Sequence, residues 1–265
     1  MKFKTKDGLA LHYIVAGNQD SKKTLVFLNG LSQSTIAWGL MTPFFEKNYK
    51  IILLDFIFQG ESEKNSPPRD FDQHARDVHG LLQSLGLSKI NLVGLSYGSL
   101  VAQHFALLFP HCLDKLILMS TFAHKTPYFE AIEVSWGRAL ELGGYSLLFD
   151  VMLPSVLGED YFKNPLIPFD IMRKARESAN NDKEALLHLM RATKERPDYR
   201  EKLKGITTPT IIIHGEKDLL LPLELPIAVH KAIPNSKLEV IPKSGHTLNL
   251  EAVPQSVKII LEFVL

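Results

Sequence analysis

A single cysteine, Cys112, stands in 265 residues, so no intrachain disulfide can form. It opens an apolar run in FPHCLDKLIL with no electropositive neighbours to activate the thiol, and it reads as a buried structural residue. Charge of either sign is not in excess: 30 Lys and Arg face 29 Asp and Glu, for a formal net charge of +1. That balance excludes a basic stripe for nucleic acid and an acidic disordered tail, and it favours a small ligand without strong charge. No apolar run reaches about 18 residues, the length a membrane-spanning helix needs. The start, MKFKTKDGLALHY, lacks the continuous apolar stretch of a signal peptide, so the expected location is the cytoplasm. Neither G-x-G-x-x-G nor a P-loop occurs, and the histidines lack metal-ligand spacing, so no cofactor and no metal are expected. Internal repeats and low-complexity segments are absent as well.

What is present is the composition of an ordinary globular protein, 45% apolar and 22% charged, with length enough for a substantial core. Residues 9–16 alternate as a half-buried strand after the Asp7-Gly8 turn. TLVFLNG (24–30), KIILLDF (50–56), KINLVG (89–94), KLILMS (115–120), PTIIIHG (209–215) and KLEVIP (237–242) read as strands buried on both faces. Helical patterns fall between or after them at 69–85, 99–109, 221–232 and 254–264. Uniformly apolar strands alternating with such helices imply crossover units and a mostly parallel sheet flanked by helices, an α/β fold.

One interval breaks this rhythm. Residues 123–205 contain no strand-like run but carry amphipathic stretches at 131–142 and 182–193, with a proline-rich passage between them. A strand-free insertion of that size reads as a helical cap, because structureless loops so long are rare in compact domains. The expected division is a core of residues 1–122 and 206–265 and a cap of residues 123–205.

The chemistry centres on GLSYG, residues 94–98. A predicted strand leads into it and a predicted helix leaves it, the setting in which a serine between two glycines projects its hydroxyl from a strained turn. Ser96 is then a candidate nucleophile; the alternative is an ordinary serine in a tight turn. A serine nucleophile needs a base, and His246, in a loop after the last predicted strand, is the candidate, with His214 as its rival. The base needs an acidic partner to fix its tautomer. Asp218 lies in HGEKDLLLP after another strand, with Glu216 as competitor. The order Ser96, Asp218, His246 is the one that goes with G-x-S-x-G in one fold among those using this triad.

These segments together resemble the α/β-hydrolase superfamily, in its serine esterase-like branch with a helical cap. Strand–GLSYG–helix, GEKD and SGH occur in order. FLNGLSQSTIAW resembles the family's H-G-x-x-x-S…W stretch, DFIFQGES its D-x-x-G-x-G-x-S stretch, and GHTLNLEAVPQSV its final loop and helix. The resemblance implies an eight-stranded sheet and an oxyanion hole formed by the backbone N–H groups of Leu31 and Tyr97, the Ser32 amide being the alternative for Leu31. Three departures stand out: Asn29 for the usual histidine, Phe58 for a glycine, and Ser99 for a glycine after S-x-G.

Trp38, Tyr97, Phe122, Trp136 and Met152 are candidates for an apolar pocket wall, against a plain packing role for each. The expectation is a serine hydrolase acting on a small, mostly uncharged carboxylic ester, without cofactor. Carbon–carbon bond hydrolysis, lactone hydrolysis, perhydrolysis and a non-catalytic ligand receptor remain alternatives on the same residues.

Overall fold

The computed structural model describes residues 1–179 and 182–265. Eight strands form one sheet: β1 (Lys2–Lys4), β2 (Ala10–Gly17), β3 (Thr24–Leu28), β4 (Lys50–Leu54), β5 (Ile90–Leu95), β6 (Leu113–Met119), β7 (Thr210–Gly215) and β8 (Ser236–Ile241). Their spatial order is β1-β2-β4-β3-β5-β6-β7-β8. β2 runs antiparallel to β1 and β4, and every pairing from β4 to β8 is parallel. Side chains alternate between two apolar clusters: Val26 and Leu28 pack on one face of the sheet, Leu25 and Phe27 on the other. The uniformly apolar strands are therefore central ones. β8 is the exception. Its residues read as buried on both faces, but it forms an edge with Lys237 and Glu239 exposed, as charge on an edge strand discourages further pairing.

Among the described residues ten α-helices complete the fold. α1 (Phe71–Ser84) and α2 (Tyr97–Leu108) cover one face. α1 starts at a capping box in which Asp70 and Gln73 exchange side-chain and backbone hydrogen bonds, the cap that Asp before an apolar periodic run predicts. Between β6 and β7 lie α3 (Pro127–Val156), α4 (Glu159–Lys163), α5 (Phe169–Ala179), α6 (Lys183–Glu195) and α7 (Arg200–Leu203). α8 (Glu224–Ala232), α9 (Leu248–Glu251) and α10 (Val253–Val264) follow. No strand occurs among the described residues from 120 to 209.

α3 meets the length and composition of a membrane span, which the apolar runs of the sequence do not suggest. It is broken at Gly143 and Gly144, where the backbone leaves helical values, so neither leg alone reaches spanning length. Trp136, Leu140, Leu148 and Phe149 of these legs are buried in the protein core.

The strand order places a site. From β3 the chain steps outward to β4, then returns across β3 to β5. Loops leaving β3 and β5 thus diverge at a switch point, where ligands bind at the carboxyl ends of open α/β sheets. Gly30–Leu31 and Ser96 occupy those two loops.

Candidate active site

Ser96 links β5 to α2 with φ 50° and ψ −113°, a left-handed conformation strained for a residue with a side chain. Two flanking glycines make the turn possible. A Cβ on Gly94 would lie 2.4 Å from the Gly98 carbonyl oxygen, and one on Gly98 would lie 2.3 Å from the Leu28 carbonyl oxygen. The helix can therefore start against β3 and β5 only if both positions lack side chains. Ser99, the departure one step on, is accommodated because its hydroxyl donates to the Ser96 carbonyl at 2.6 Å and meets Thr121 Oγ1 at 2.8 Å.

His246 Nε2 lies 2.9 Å from Ser96 Oγ, and its Nδ1 lies 2.7 Å from Asp218 Oδ2. A carboxylate only accepts, so Nδ1 carries the proton and Nε2 is left to accept from the serine hydroxyl. The other Asp218 oxygen accepts the Leu221 amide at 2.8 Å. Both Asp218 and His246 are buried. The rivals point elsewhere: His214 Nε2 donates to the Leu221 carbonyl at 2.9 Å, and Glu216 accepts the Lys243 amide at 3.1 Å. Burial holds the His214 imidazole below its ordinary pKa.

The loop carrying His246 is braced by residues that the sequence reading did not single out. Ser120, at φ 48°, donates its hydroxyl to the His246 carbonyl at 2.7 Å. Glu251 accepts the amides of Gly245 at 2.9 Å, Thr247 at 3.0 Å and Gly158 at 2.7 Å. Spacing within GHTLNLE hints at such a role for Glu251; nothing in the sequence marks Ser120.

The first helical residue, Tyr97, presents its amide beside Ser96, and Leu31 follows Gly30 across the switch point. Neither amide has a backbone acceptor among the described residues. Asn29 anchors the Leu31 loop: its Nδ2 donates to the Leu54 carbonyl at 2.8 Å and Asp55 Oδ1 at 3.1 Å, and its Oδ1 accepts Trp38 Nε1 at 2.9 Å.

Above Ser96 and His246 lies a chamber. Phe122, Trp136 and Met152 line it together with Tyr97, while α3 and α6 add Phe129, Glu133, Val156, Met190 and Thr193. Trp38 does not line it. That indole is fully buried on the opposite face of the sheet, 4.9 Å from the Phe27 ring, because its N–H is drawn to Asn29. Phe58 also stays out of the chamber, stacking on His188 at 4.8 Å. Glu133 was missed by sequence reading; burial pushes its carboxyl up to about 7, against the opposing effect of Lys125.

The cysteine and metal expectations meet one unforeseen grouping. His79, His111 and Cys112 bring possible ligand atoms within 4.8 Å of one another, before β6 and at the end of the sheet remote from Ser96. Burial raises the Cys112 thiol above its ordinary pKa, which opposes the thiolate a metal requires.

A family model for the alpha/beta hydrolase fold matches residues 23–142. A 2-hydroxy-6-oxononadienedioate/2-hydroxy-6-oxononatrienedioate hydrolase of Pseudomonas putida is 28% identical over 97% of this chain and 92% of its own. Among solved structures, an α/β-hydrolase enzyme from a Medee basin deep-sea metagenome library superposes with a TM-score of 0.90 at 25% identity, covering 99% of this chain and 96% of the other. A thermophilic esterase from Thermogutta terrifontis superposes with a TM-score of 0.87 at 27% identity, covering 100% and 97%. With its sheet order and switch-point serine, this chain has the α/β-hydrolase fold.

Proposed function

We propose that the protein is a serine hydrolase of small, mostly uncharged carboxylic esters, with Ser96, His246 and Asp218 as its triad. The observation that carries this is the relay of 2.9 Å and 2.7 Å contacts from Ser96 through His246 to Asp218, set beneath an apolar chamber. In this reading Ser96 Oγ attacks the ester carbonyl while His246 Nε2 takes its proton. Charge developing on the carbonyl oxygen is met by the amides of Tyr97 and Leu31. His246 then protonates the departing alcohol and activates water to release the acid, and Asp218 stabilises the imidazolium throughout. The insertion over residues 123–205 acts as a cap, its helices supplying Trp136, Met152 and Met190 to the chamber wall.

A second reading draws on the Pseudomonas putida relative. Its named substrate carries no ester, so hydrolysis there breaks a carbon–carbon bond beside a ketone. The same relay could serve that reaction, and Arg176 in the chamber wall would suit a carboxylate on the substrate. A fluorophosphonate probe, a panel of p-nitrophenyl esters and a 2-hydroxy-6-oxo dienoate separate the readings. Labelling at Ser96 with ester turnover supports the first. Turnover of the dienoate alone replaces it with the second, and absence of both labelling and turnover overturns the hydrolase reading.

A further inference from the structure

Along the inward face of α3, one side chain breaks the apolar pattern. Phe129, Glu133 and Trp136 follow at the i, i+4 and i+7 spacing of a single helix face, and all three line the chamber above Ser96 and His246. The two aromatics are buried. Between them stands a carboxylate with only 12% of its side chain exposed. Among the described residues no hydrogen bond reaches it. Its ion-pair partner, Lys125 Nζ, stops 3.9 Å from Oε2, beyond hydrogen-bond reach, and that ammonium donates to the Lys194 carbonyl. A carboxylate withdrawn from water is costly unless it accepts hydrogen bonds, and buried polar groups nearly always find partners. An acceptor left open in the wall of a chamber marks a place that a ligand completes.

We propose that Glu133 is a specificity residue that accepts a hydrogen bond from an uncharged donor on the substrate, so that the ester hydrolysed carries a free hydroxyl in the arm that enters the chamber. The inference rests on the hydrolase reading above. The surrounding charges select the donor. Lys125 already balances Glu133, and Arg176 adds a second cation to the chamber wall. A substrate ammonium would bring a further positive charge into this setting, and a substrate carboxylate would face Glu133 itself. A hydroxyl supplies the missing donor with neither cost. The other chamber walls on α3, Trp136, Met152 and Val156 among them, are apolar, so on that helix Glu133 is the group able to read it.

The test uses the full-length protein and two sets of esters. One is methyl hexanoate with its hydroxy derivatives, the hydroxyl moved from the third carbon to the sixth; the other is hexyl acetate with the hydroxyl moved likewise along the alcohol. For the native protein one hydroxylated ester should exceed its parent by at least about tenfold in kcat/KM, and the matching ammonium and carboxylate esters should fall below it. Glu133→Leu removes the acceptor and completes the apolar stripe. The parent esters should then gain and the hydroxylated ester should lose its advantage, while fluorophosphonate labelling of Ser96 reports that the variant is folded. Three results overturn the assignment while leaving the hydrolase reading intact: no hydroxylated ester preferred in either set, a preference that survives Glu133→Leu, or a charged ester that outruns the hydroxylated one. Absence of both labelling and turnover overturns the hydrolase reading as well.

Discussion

Glu251 accepts the amide of Gly158 at 2.7 Å, and this contact ties the helical insertion to the loop that holds His246. The same carboxylate takes the amides on either side of the histidine, those of Gly245 and Thr247. Thr247 returns a bond to the insertion through the Val156 carbonyl at 2.9 Å. Position of the imidazole and position of the insertion are thus fixed by one cluster of hydrogen bonds.

Glu251→Gln is expected to lower kcat by about tenfold with little change in KM, because it leaves an amide N–H facing backbone donors and loosens the imidazole. Burial raises the Glu251 carboxyl, and the three amides and the His246 charge lower it. A kcat that falls no further than the folded fraction of the variant would show that Glu251 serves stability alone.

The strained serine predicts a trade between activity and stability. Ser96→Ala should lower kcat by about 10⁴-fold or more and abolish fluorophosphonate labelling. Ser96→Gly removes the hydroxyl too, but it also relieves the cost of a side chain at φ 50°. Its free energy of unfolding should exceed that of Ser96→Ala by about 1 kcal/mol in urea titrations, after allowance for glycine's greater freedom when unfolded. Equal stabilities would show that the turn stores no strain.

How far this site could be read beforehand depends on where each signal resides. Ser96, Asp218 and His246 sit in short motifs at strand ends, where backbone direction alone aims a side chain. Their convergence was legible for that reason. Pocket walls depend instead on which way a side chain turns. Trp38 and Trp136 look alike in sequence, yet an acceptor on Asn29 draws one beneath the sheet while the other faces the chamber. Ser120 and Glu251 act through backbone groups brought near by tertiary packing, and β1 is too short to carry a periodic pattern. The two-legged course of α3 turns on Gly143 and Gly144, which a helical periodicity passes over.

His74 makes a pH prediction. Its ring is fully buried between Phe56 and Tyr97, neither nitrogen has a hydrogen-bond partner among the described residues, and burial with the nearby Arg69 holds its pKa down to about 3. With a folded value far below the unfolded 6.5, the unfolded chain binds the proton first on acidification. The neutral ring's contribution is complete above pH 6.5 and is lost as pH falls toward about 3. Asp77 and Glu133, raised to about 7 by burial, act in the opposite sense, so the comparison must be between proteins differing only at position 74. His74→Leu should gain about 2 kcal/mol on the native protein between pH 7 and pH 5 in urea unfolding. A constant difference across that range would mean that the ring titrates alike in the folded and unfolded chain.

Asn29 provides the sharpest contrast between two substitutions, one that truncates the side chain and one that keeps its shape. The side chain donates to Leu54 and Asp55 and accepts from Trp38, immediately before the Gly30–Leu31 loop. Asn29→Ala leaves the Trp38 N–H and the Leu54 carbonyl unpaired in a buried site, at a cost of about 2–3 kcal/mol. If Leu31 serves the oxyanion, kcat should fall by about tenfold with KM nearly unchanged. Asn29→Asp keeps the acceptor for Trp38 but sets a second carboxylate where Asp55 Oδ1 lies 3.1 Å from the present amide nitrogen. Two buried like charges at that distance cannot both persist, so the aspartate variant should be less stable than the alanine variant at neutral pH. Lowering the pH allows the pair to share a proton, and the aspartate variant should regain stability relative to alanine. Thermal unfolding at pH 7.5 and 5.5 measures both differences; an aspartate variant that is the more stable at pH 7.5 would remove the argument that Asn29 works through an uncharged amide.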